Sequence, residues 1–374
     1  MRASQLDEAT FDDLAARDGQ NLISVFIPTH RKGREIAQDQ IRLKNELSEV
    51  DDRLEELGWK PRQRSERLAE ATALLEDGEF WEHQDAGLAV FIDDEGRVQS
   101  VSTTRAVPAF STVMPVFMLR PLAADIHALG VPVLALTKDE VRLFVATRYS
   151  VESLPDELPS YDDVNWFVDR ETQRQQHPDR AGTTRSRHGH EDATRDDEDL
   201  ARFLREVDTA LEGFDPATPL LVLGDDGLVA RFANVSRRET TSPPNSGITA
   251  PFSAQEVSDL VTDVIADMER ARLETHLDTA RDRIGVGMGT SDLEDALPST
   301  MSGRVGQVII DITAAPVWGR FDQTAFDVEI HDTPAPGDVD LLDRLVVWGR
   351  QNGAEVVATD KPVDGMTFVV VHRY

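Results

Sequence analysis

The stretch of residues 173–190 combines positive charge with imidazole groups and shows little hydrophobic periodicity. Arginine suits phosphate because its planar guanidinium group donates two parallel hydrogen bonds and keeps its charge at any biological pH. The stretch therefore predicts a basic loop that contacts phosphate groups, and a solvated linker is the alternative interpretation. A single acid, Asp179, opposes its four arginines, which are Arg174, Arg180, Arg185 and Arg187.

The same stretch ends with His188, Gly189 and His190. Glycine lets a backbone approach another molecule closely, and histidine exchanges a proton near neutral pH. Two imidazoles two residues apart can also reach one metal ion, with His177 as a further ligand. This spacing is much less specific than a His-Glu-x-x-His helix, so a metal-dependent hydrolase is an alternative and no metal site is assigned.

Two further groups of cations lie in the first third of the chain, each beside a predicted helix. Patches in separate parts of a protein suit a long polyanion such as RNA, because each phosphate contact adds a modest, salt-dependent increment of binding. The alternative is that these are surface arginines paired with neighbouring acids. The two groups are Arg31, Lys32 and Arg34, and then Lys60, Arg62 and Arg64.

The overall composition makes these cations conspicuous. The chain has 374 residues, with 69 acids against 39 lysines and arginines, and its formal net charge is -30. Such a surface repels nucleic acid and anionic membranes unless cations are gathered locally. No apolar stretch approaches the ~18 residues that span a bilayer, so we expect a soluble, cytoplasmic protein without membrane contact.

Several classes of chemistry are excluded by what the sequence lacks. It has no cysteine, which rules out disulfides, thiolate catalysis, cysteine-ligated zinc and iron–sulfur clusters. It also has no dinucleotide-binding glycine motif, no P-loop, no GxSxG nucleophile motif and no kinase motifs. We therefore expect no cofactor.

The pattern of predicted elements indicates a mixed α/β protein of three consecutive domains. Short apolar strands alternate with helices whose apolar residues recur at three- and four-residue steps, as at Leu43, Leu47, Val50 and Leu54. At roughly 150 residues per domain, the length allows two or three domains. The predicted ranges are 1–122, 123–300 with the basic loop 173–190, and 301–374.

Several stretches, in order along the chain, resemble bacterial relatives of the archaeal and eukaryotic class-1 peptide-chain release factor and of Pelota. No one stretch is diagnostic, but together they are fairly specific. They are Ile27-Pro28-Thr29-His30-Arg31, Ile41-Arg42-Leu43-Lys44-Asn45, Phe80-Trp81, Gly87-Leu88-Ala89-Val90-Phe91, Val133-Leu134-Ala135-Leu136, Val141-Arg142-Leu143-Phe144, Phe203-Leu204-Arg205-Glu206-Val207-Asp208, Gly303-Arg304-Val305, Trp318-Gly319 and Arg373-Tyr374.

This resemblance implies an N-terminal α/β domain, a central RNase-H-like domain and a C-terminal domain similar to a small ribosomal protein. In the release factor, a Gly-Gly-Gln loop of the central domain helps water attack the peptidyl-tRNA ester. Here His188-Gly189-His190 stands at that place, so the glycine is kept and histidine replaces the glutamine. The codon-reading motifs of the release factor are not visible in residues 30–70, so we do not expect stop-codon decoding.

The residues and the resemblance together predict a monomeric, ribosome-associated, release-factor-like protein that acts in peptide release or in rescue of stalled translation complexes. Its partners would be ribosomal RNA and tRNA, bound through the arginines of residues 173–190 and the two N-terminal groups. His188, Gly189 and His190 would contact the ester or its water if hydrolysis takes place. A non-catalytic, Pelota-like binding protein is the main alternative, and the metal-dependent hydrolase is the other.

Overall fold

The protein folds into two compact units, and each is described here by itself. The first unit contains residues 1–128 and 272–374, and the second contains residues 129–271. The computed structural model describes residues 3–30, 36–126, 128–137, 140–154, 188–215, 218–244, 246–248 and 251–374, with only the backbone for 188–197. Within these ranges, no helix is long and apolar enough to cross a membrane.

The N-terminal segment of the first unit is a five-stranded sheet with helices packed against it. Its strands are β1 (Ser4–Gln5), β2 (Asp18–Pro28), β3 (Gly87–Ile92), β4 (Val98–Thr103) and β5 (Phe110–Val116), in the order β1-β4-β3-β2-β5. Only the β1–β4 pair is parallel among these strands. Its helices are α1 (Glu8–Ala15), α2 (Ile36–Glu56), α3 (Pro61–Ala73), α4 (Gly78–Glu82) and α5 (Ala123–Ile126), with 3-10 turns at Leu74–Glu76 and Arg120–Leu122.

Helix α2 packs on this sheet through the predicted apolar stripe. Leu43, Leu47, Val50 and Leu54 are all buried against strand residues of β2 and β3. These side chains share one side of the helix because steps of three and four residues return to the same face. The helix ends before Gly58, whose φ of 84° is a left-handed conformation that favours glycine.

The second unit has helices on both faces of a five-stranded sheet. The strands are β6 (Val131–Leu136), β7 (Val141–Ala146), β8 (Val151–Ser153), β9 (Leu220–Gly224) and β10 (Thr240–Thr241), in the order β10-β9-β6-β7-β8. The helices are α6 (His188–Ala210), α7 (Asp226–Val235) and the part of α8 (Ala254–Gly285) that precedes residue 272. Phe203 of α6 and Phe232 of α7 pack on one face, whereas Val257 and Val261 of α8 pack on the other.

Two helix starts in this unit carry the predicted side-chain caps. Ser253 and Glu256 form the capping box before α8, because the Ser253 N–H donates to Glu256 Oε2 (3.2 Å) and the Glu256 N–H donates to Ser253 Oγ (3.2 Å). Asp225 caps α7 by accepting hydrogen bonds from the N–H groups of Gly227 and Leu228. The Asp225-Asp226 pair thus forms the turn before a helix.

Helix α6 begins earlier than the sequence indicated. The basic stretch was expected to continue to His190, but His188, Gly189 and His190 are the first three residues of the helix. Acids follow directly at Glu191 and Asp192. Carboxylates in a first helical turn stabilise it through the helix dipole, which gives a physical reason for the earlier start.

The C-terminal segment of the first unit adds two small sheets and two helices. Strands β11 (Gly289–Thr290), β12 (Val305–Asp311), β16 (Glu355–Thr359) and β17 (Phe368–His372) form a sheet in the order β11-β17-β12-β16. Strands β13 (Trp318–Asp322), β14 (Asp327–His331) and β15 (Val339–Asp340) form another, in the order β14-β13-β15. The helices are α9 (Leu293–Met301) and α10 (Leu341–Gln351).

The two segments of the first unit share one hydrophobic core. Phe11, Phe91 and Phe117 of the N-terminal segment belong to the same buried cluster as Leu345 and Phe368 of the C-terminal segment. The mixed α/β fold class is confirmed. The three predicted domain ranges, and the RNase-H-like and ribosomal-protein-like identities of two of them, stay predictions.

Buried charges also join these two segments. The Arg120 guanidinium, only 3% exposed, lies 3.0 Å from Asp340 Oδ2. It also donates to the carbonyl oxygens of Asp311 (3.2 Å) and Ala314 (3.0 Å). Asp343 accepts hydrogen bonds from the N–H groups of Leu119 and Arg120, both at 2.6 Å. Arg120, Asp340 and Asp343 are called the junction charges below.

The protonation of Asp340, one of the junction charges, should make stability depend on pH. Burial raises the pKa of Asp340 from 3.8 to about 6, although the nearby Arg120 lowers it. A carboxyl whose pKa is raised by folding contributes stability that is fully present below pH ~4 and is lost as pH rises through ~6. This change in pKa corresponds to about 3 kcal/mol. We expect the free energy of unfolding to fall by about that much more between pH 4 and pH 7 in the wild type than in Asp340→Asn, as measured by urea titration. Parallel pH profiles would contradict the assignment.

Candidate functional site

Most of the predicted cationic residues lie outside the described residues. The structure therefore neither brings them together nor separates them, and their roles stay predictions. They are Arg31, Lys32, Arg34, Arg174, Arg180, Arg185 and Arg187, and His177 of the alternative metal site lies outside as well. The described residues do show the contacts made on either side of the first basic group, by His30 before it and by α2 after it.

A buried carboxylate organises the junction between β2 and α2. Asp39, on the first turns of α2, is 1% exposed and accepts hydrogen bonds from the backbone N–H of His30 (2.8 Å) and from His30 Nδ1 (2.9 Å). It also accepts one from Arg42 Nη1 (2.5 Å). A carboxylate is only an acceptor, so Nδ1 of His30 is the donor in this hydrogen bond. His30, Asp39 and Arg42 are called the Asp39 cluster.

The Asp39 cluster brackets the first basic group. His30 directly precedes residues 31–35, and α2 begins directly after them at Ile36. Asp39 lies on α2 and bonds to His30, so it links the two residue ranges on either side of the segment that contains Arg31, Lys32 and Arg34. The start of this segment is fixed further because Thr29 bonds through its N–H and its hydroxyl to the carbonyls of Ala86 and Asp85.

An exposed face of α2 continues from this cluster. Ile41 is 57% exposed, and Lys44 and Asn45 are exposed at three and four residues further along the helix. Residues at this spacing are neighbours on a helix surface. These three residues belong to one of the stretches that carried the family resemblance, and none of them is needed for the core of the segment.

The second predicted basic group is not a uniform cationic patch. Arg62 is exposed and pairs with Glu66 at 2.8 Å, as the ion-pair alternative predicts. Lys60 is the exposed residue before α3, and its backbone N–H donates to Gln63. Arg64 is buried, so it is not available for the RNA-binding role predicted from the sequence.

Arg64 is a structural residue because its donors are already used within the protein. Nε donates to Asp51 (2.9 Å), Nη2 to Glu55 (3.0 Å) and Nη1 to the Trp59 carbonyl (3.0 Å). The hydrogen bond to Asp51 raises the pKa of Arg64, so this guanidinium group keeps its charge at every biological pH. A phosphate would have to displace two carboxylates to reach this guanidinium group.

Three carboxylates of α2 lie near enough to share a metal ion, and a guanidinium group already pairs with two of them. The set is Asp51, Asp52 and Glu55. Arg64 pairs with Asp51 and Glu55, so an ion-pair network accounts for two of the three acids and no metal site is assigned here.

The three residues predicted to take part in hydrolysis begin α6. His188, Gly189 and His190 are helical, and their side chains lie outside the description. Further along α6, Asp208 accepts hydrogen bonds from Ser236 Oγ (2.9 Å) and Arg237 Nε (2.8 Å). Asp208 is 5% exposed, so it fixes the later part of the helix to the loop after α7.

Asp39 is the organising residue that sequence reasoning did not single out as functional. It was considered only as an ion-pair partner of the nearby cations. Its signal is an acid three residues before Arg42, in the first turns of a helix that directly follows a strand and a basic segment. Such an acid can bond to backbone N–H groups before the helix as well as to the following turn.

We expect Asp39→Asn to weaken the link between His30 and the start of α2. The amide has the size of the carboxylate but loses the ionic bond to Arg42 and one acceptor for His30, which should lower the free energy of unfolding by about 1–3 kcal/mol. Hydrogen exchange at the backbone N–H of His30, which donates to Asp39, should become faster. Glu49→Gln, an exposed change on the same helix, is the control. Equal exchange at His30 in both variants would show that Asp39 does not hold this residue.

The comparison with known families identifies the central part of the chain. Residues 132–304 match the Bacterial archaeo-eukaryotic release factor family 3. The resemblance predicted from the sequence is thereby confirmed over this segment, which contains the basic stretch and all of α6. No curated protein matches the chain.

Solved structures give more distant similarities. A crystal structure of an archaeal translation termination factor is 14% identical over 99% of both chains, with a TM-score of 0.25. The Pelota protein of Thermoplasma acidophilum is 12% identical over 100% of this chain and 95% of its own, with a TM-score of 0.27. A ribosome-bound archaeal Pelota is 9% identical over the same shares, with a TM-score of 0.37. Similarities at this level carry no argument about function.

Proposed function

We propose that this chain, whose residues 132–304 match a bacterial family of archaeo-eukaryotic release factors, is a release-factor-like protein that binds the ribosome. It would act in peptide release or in rescue of stalled translation complexes. The observation that carries the proposal is the family match itself, because it covers the segment where positive charge is gathered in a protein of net charge -30.

The proposed contacts with RNA are electrostatic. Arg174, Arg180, Arg185 and Arg187 would bind phosphates of ribosomal RNA or tRNA, since a local excess of cations overcomes the repulsion from the remaining surface. Arg31, Lys32 and Arg34 would form a second contact, with the ends of their segment fixed by Asp39. Lys60 and Arg62, both exposed, complete the proposed set, from which Arg64 is removed.

The proposed chemistry concerns the start of α6. In ester hydrolysis, the oxygen of water attacks the carbonyl carbon of the peptidyl ester while a base takes a proton from the water. The bond from this carbon to the tRNA oxygen then breaks, and the base returns the proton to that oxygen. His190 or His188 would serve as that base near neutral pH, and Gly189 would allow close approach of the backbone. In the alternative form of the proposal, the same residues dock against RNA without chemistry.

Binding is tested by sedimentation of the full-length protein with bacterial 70S ribosomes over a series of salt concentrations. We expect co-sedimentation that weakens steeply with salt, because phosphate contacts release counterions. Binding that does not respond to salt, or no binding to either empty or stalled ribosomes, would contradict the proposal.

Release is tested separately, by following labelled peptide on stalled ribosomes in the presence of the wild-type protein, His190→Ala and Gly189→Ala. If the protein hydrolyses the ester, His190→Ala should lower the rate at unchanged ribosome binding. If the protein only docks, the wild type should bind and release no peptide. Metal content measured after dialysis decides the remaining alternative, a metal-dependent hydrolase.

A further inference from the structure

We propose that the outer edge of β14 is a docking site for an extended, positively charged segment of a partner protein. This goes beyond ribosome binding, because it concerns a surface of the C-terminal segment with the opposite charge. The site is defined by β14 together with Phe326, the residue that precedes it.

Strand β14 is an edge strand. In the order β14-β13-β15 it pairs with β13 on one side, in antiparallel register from Trp318↔His331 to Asp322↔Asp327. In the part of the chain that the structure describes, no strand pairs with its other side. Edge strands present unpaired N–H and C=O groups, and an extended peptide can add to them as a further strand.

The side chains of β14 divide into an apolar face and an acidic face. Val328 and Ile330 lie on one face, and Ile330 is 52% exposed, whereas Asp327 and Glu329 lie on the other and are exposed. Successive residues of a strand point to opposite faces, so this alternation follows from the sequence. Phe326 adds a further apolar side chain, 49% exposed, in edge-to-face contact with Phe321 at 6.2 Å between ring centroids.

The backbone at Phe326 is held in an unusual conformation. Its φ is 55°, in the left-handed region that is strained for an aromatic residue. Asp322 stabilises the turn before it by accepting hydrogen bonds from the N–H groups of Thr324 (2.7 Å) and Ala325 (3.0 Å). The turn therefore maintains an exposed phenyl group at the end of an exposed strand edge, a placement that does not serve the core.

The acidic residues around β14 indicate that a partner bound there carries positive charge. Residues 318–332 contain four acids, namely Asp322, Asp327, Glu329 and Asp332, against one arginine. In the described part of the chain, no ion pair involves Asp327 or Glu329.

The two basic side chains of the hairpin formed by β13 and β14 are already paired with one buried acid. Arg320 donates to Asp338 at 3.1 Å, and His331 Nδ1 bonds to the same carboxylate at 2.8 Å. The acids of the edge are therefore left to attract a cationic partner.

These observations disfavour the other occupants. RNA would be repelled by the acids at the edge. A second copy of this chain would bring the same acids and the same overall charge of -30 to the contact. A strand that alternates lysine or arginine with apolar residues would place its cations beside Asp327 and Glu329 and its apolar side chains beside Val328 and Ile330.

The test uses the full-length protein and fluorescein-labelled peptides, with binding followed by anisotropy. The probe is an eight-residue peptide that alternates lysine and valine. A peptide of the same composition with all lysines before all valines controls for non-specific attraction to an acidic protein. A second copy is tested by sedimentation velocity of the protein alone.

Two matched pairs of variants locate the binding. Asp327→Asn with Glu329→Gln should weaken binding of the alternating peptide at least five-fold, whereas Glu56→Gln with Glu274→Gln, which changes the net charge equally at other exposed positions, should weaken it less than two-fold. Ile330→Ser should weaken it in the same way, and Ile41→Ser, at another exposed isoleucine, should not.

Backbone pairing is tested by N-methylation. A peptide strand added to one edge uses the N–H groups of alternate residues, so methylation of either the lysines or the valines should abolish binding and methylation of the other set should not. Three results would overturn the proposal. The edge variants and their controls could lose equal affinity, the peptide with all lysines before all valines could bind as well as the alternating one, or binding could survive both methylations. Dimers abolished by Ile330→Ser would assign the edge to a second copy instead.

Discussion

Replacement of Arg174, Arg180, Arg185 and Arg187 with glutamine is expected to reduce ribosome affinity by about 100-fold near physiological salt. Each arginine that neutralises a phosphate releases counterions when it binds, so the loss of four contacts should also flatten the plot of log affinity against log salt by about 3. Ribosome co-sedimentation over a salt series measures both quantities.

The control must match the change in net charge, because the protein is already strongly anionic. Four exposed arginines elsewhere, Arg97, Arg148, Arg270 and Arg283, can be changed to glutamine to give the same net charge. We expect this control to bind within about three-fold of the wild type, since long-range repulsion between the protein and the ribosome is screened beyond ~10 Å. Equal losses in the two variants would show that residues 173–190 make no specific contact.

Arg120→Ala is expected to lower the free energy of unfolding by about 3–5 kcal/mol. The substitution leaves the buried Asp340 without its cation and removes the donor from the carbonyls of Asp311 and Ala314. Removal of one partner from a buried pair costs much more than removal of both, because the remaining charge is left uncompensated. Urea unfolding followed by tryptophan fluorescence measures the effect.

Two further variants separate this effect from a general loss of packing. Arg97→Ala removes a pair with Asp93 in which the arginine is 70% exposed, and it should cost less than about 1 kcal/mol. Arg120→Met with Asp340→Asn removes both charges of the buried pair but keeps a side-chain oxygen for the two backbone N–H groups that Asp340 accepts from. This double variant should recover at least half of the stability lost in Arg120→Ala. If the double variant is as unstable as the single one, the uncompensated charge is not the cause.

Much of the secondary structure could be predicted because it depends on local patterns. The α2 stripe from Leu43 to Leu54, the hairpin of β6 and β7, and the capping box before α8 all follow from spacing within a few residues. β5 was missed because its sequence, Phe110 to Val116, contains serine, threonine and proline and is recognisable as a strand only by its pairing with β2.

The site was predicted less completely because its organisation depends on contacts that spacing does not determine. Arg64 was grouped with Arg62 by proximity in sequence, but only the turn between α2 and α3 shows that its side chain lies against Asp51 and Glu55. The role of the buried Asp39 and the small sheet of β13, β14 and β15 were likewise found only from tertiary contacts.

The order in which the chain is made has a consequence for how it folds. Phe11 and Phe117 share a core with Leu345, and Arg120 pairs with Asp340, so the first unit lacks part of its interior until residues far downstream have been synthesised. At ~5–20 residues per second, the interval between residues 128 and 341 lasts on the order of 10–40 s. During that time the second unit can fold alone, while the first keeps apolar surface exposed. We therefore expect chaperone dependence to concentrate in residues 1–128 of the nascent chain.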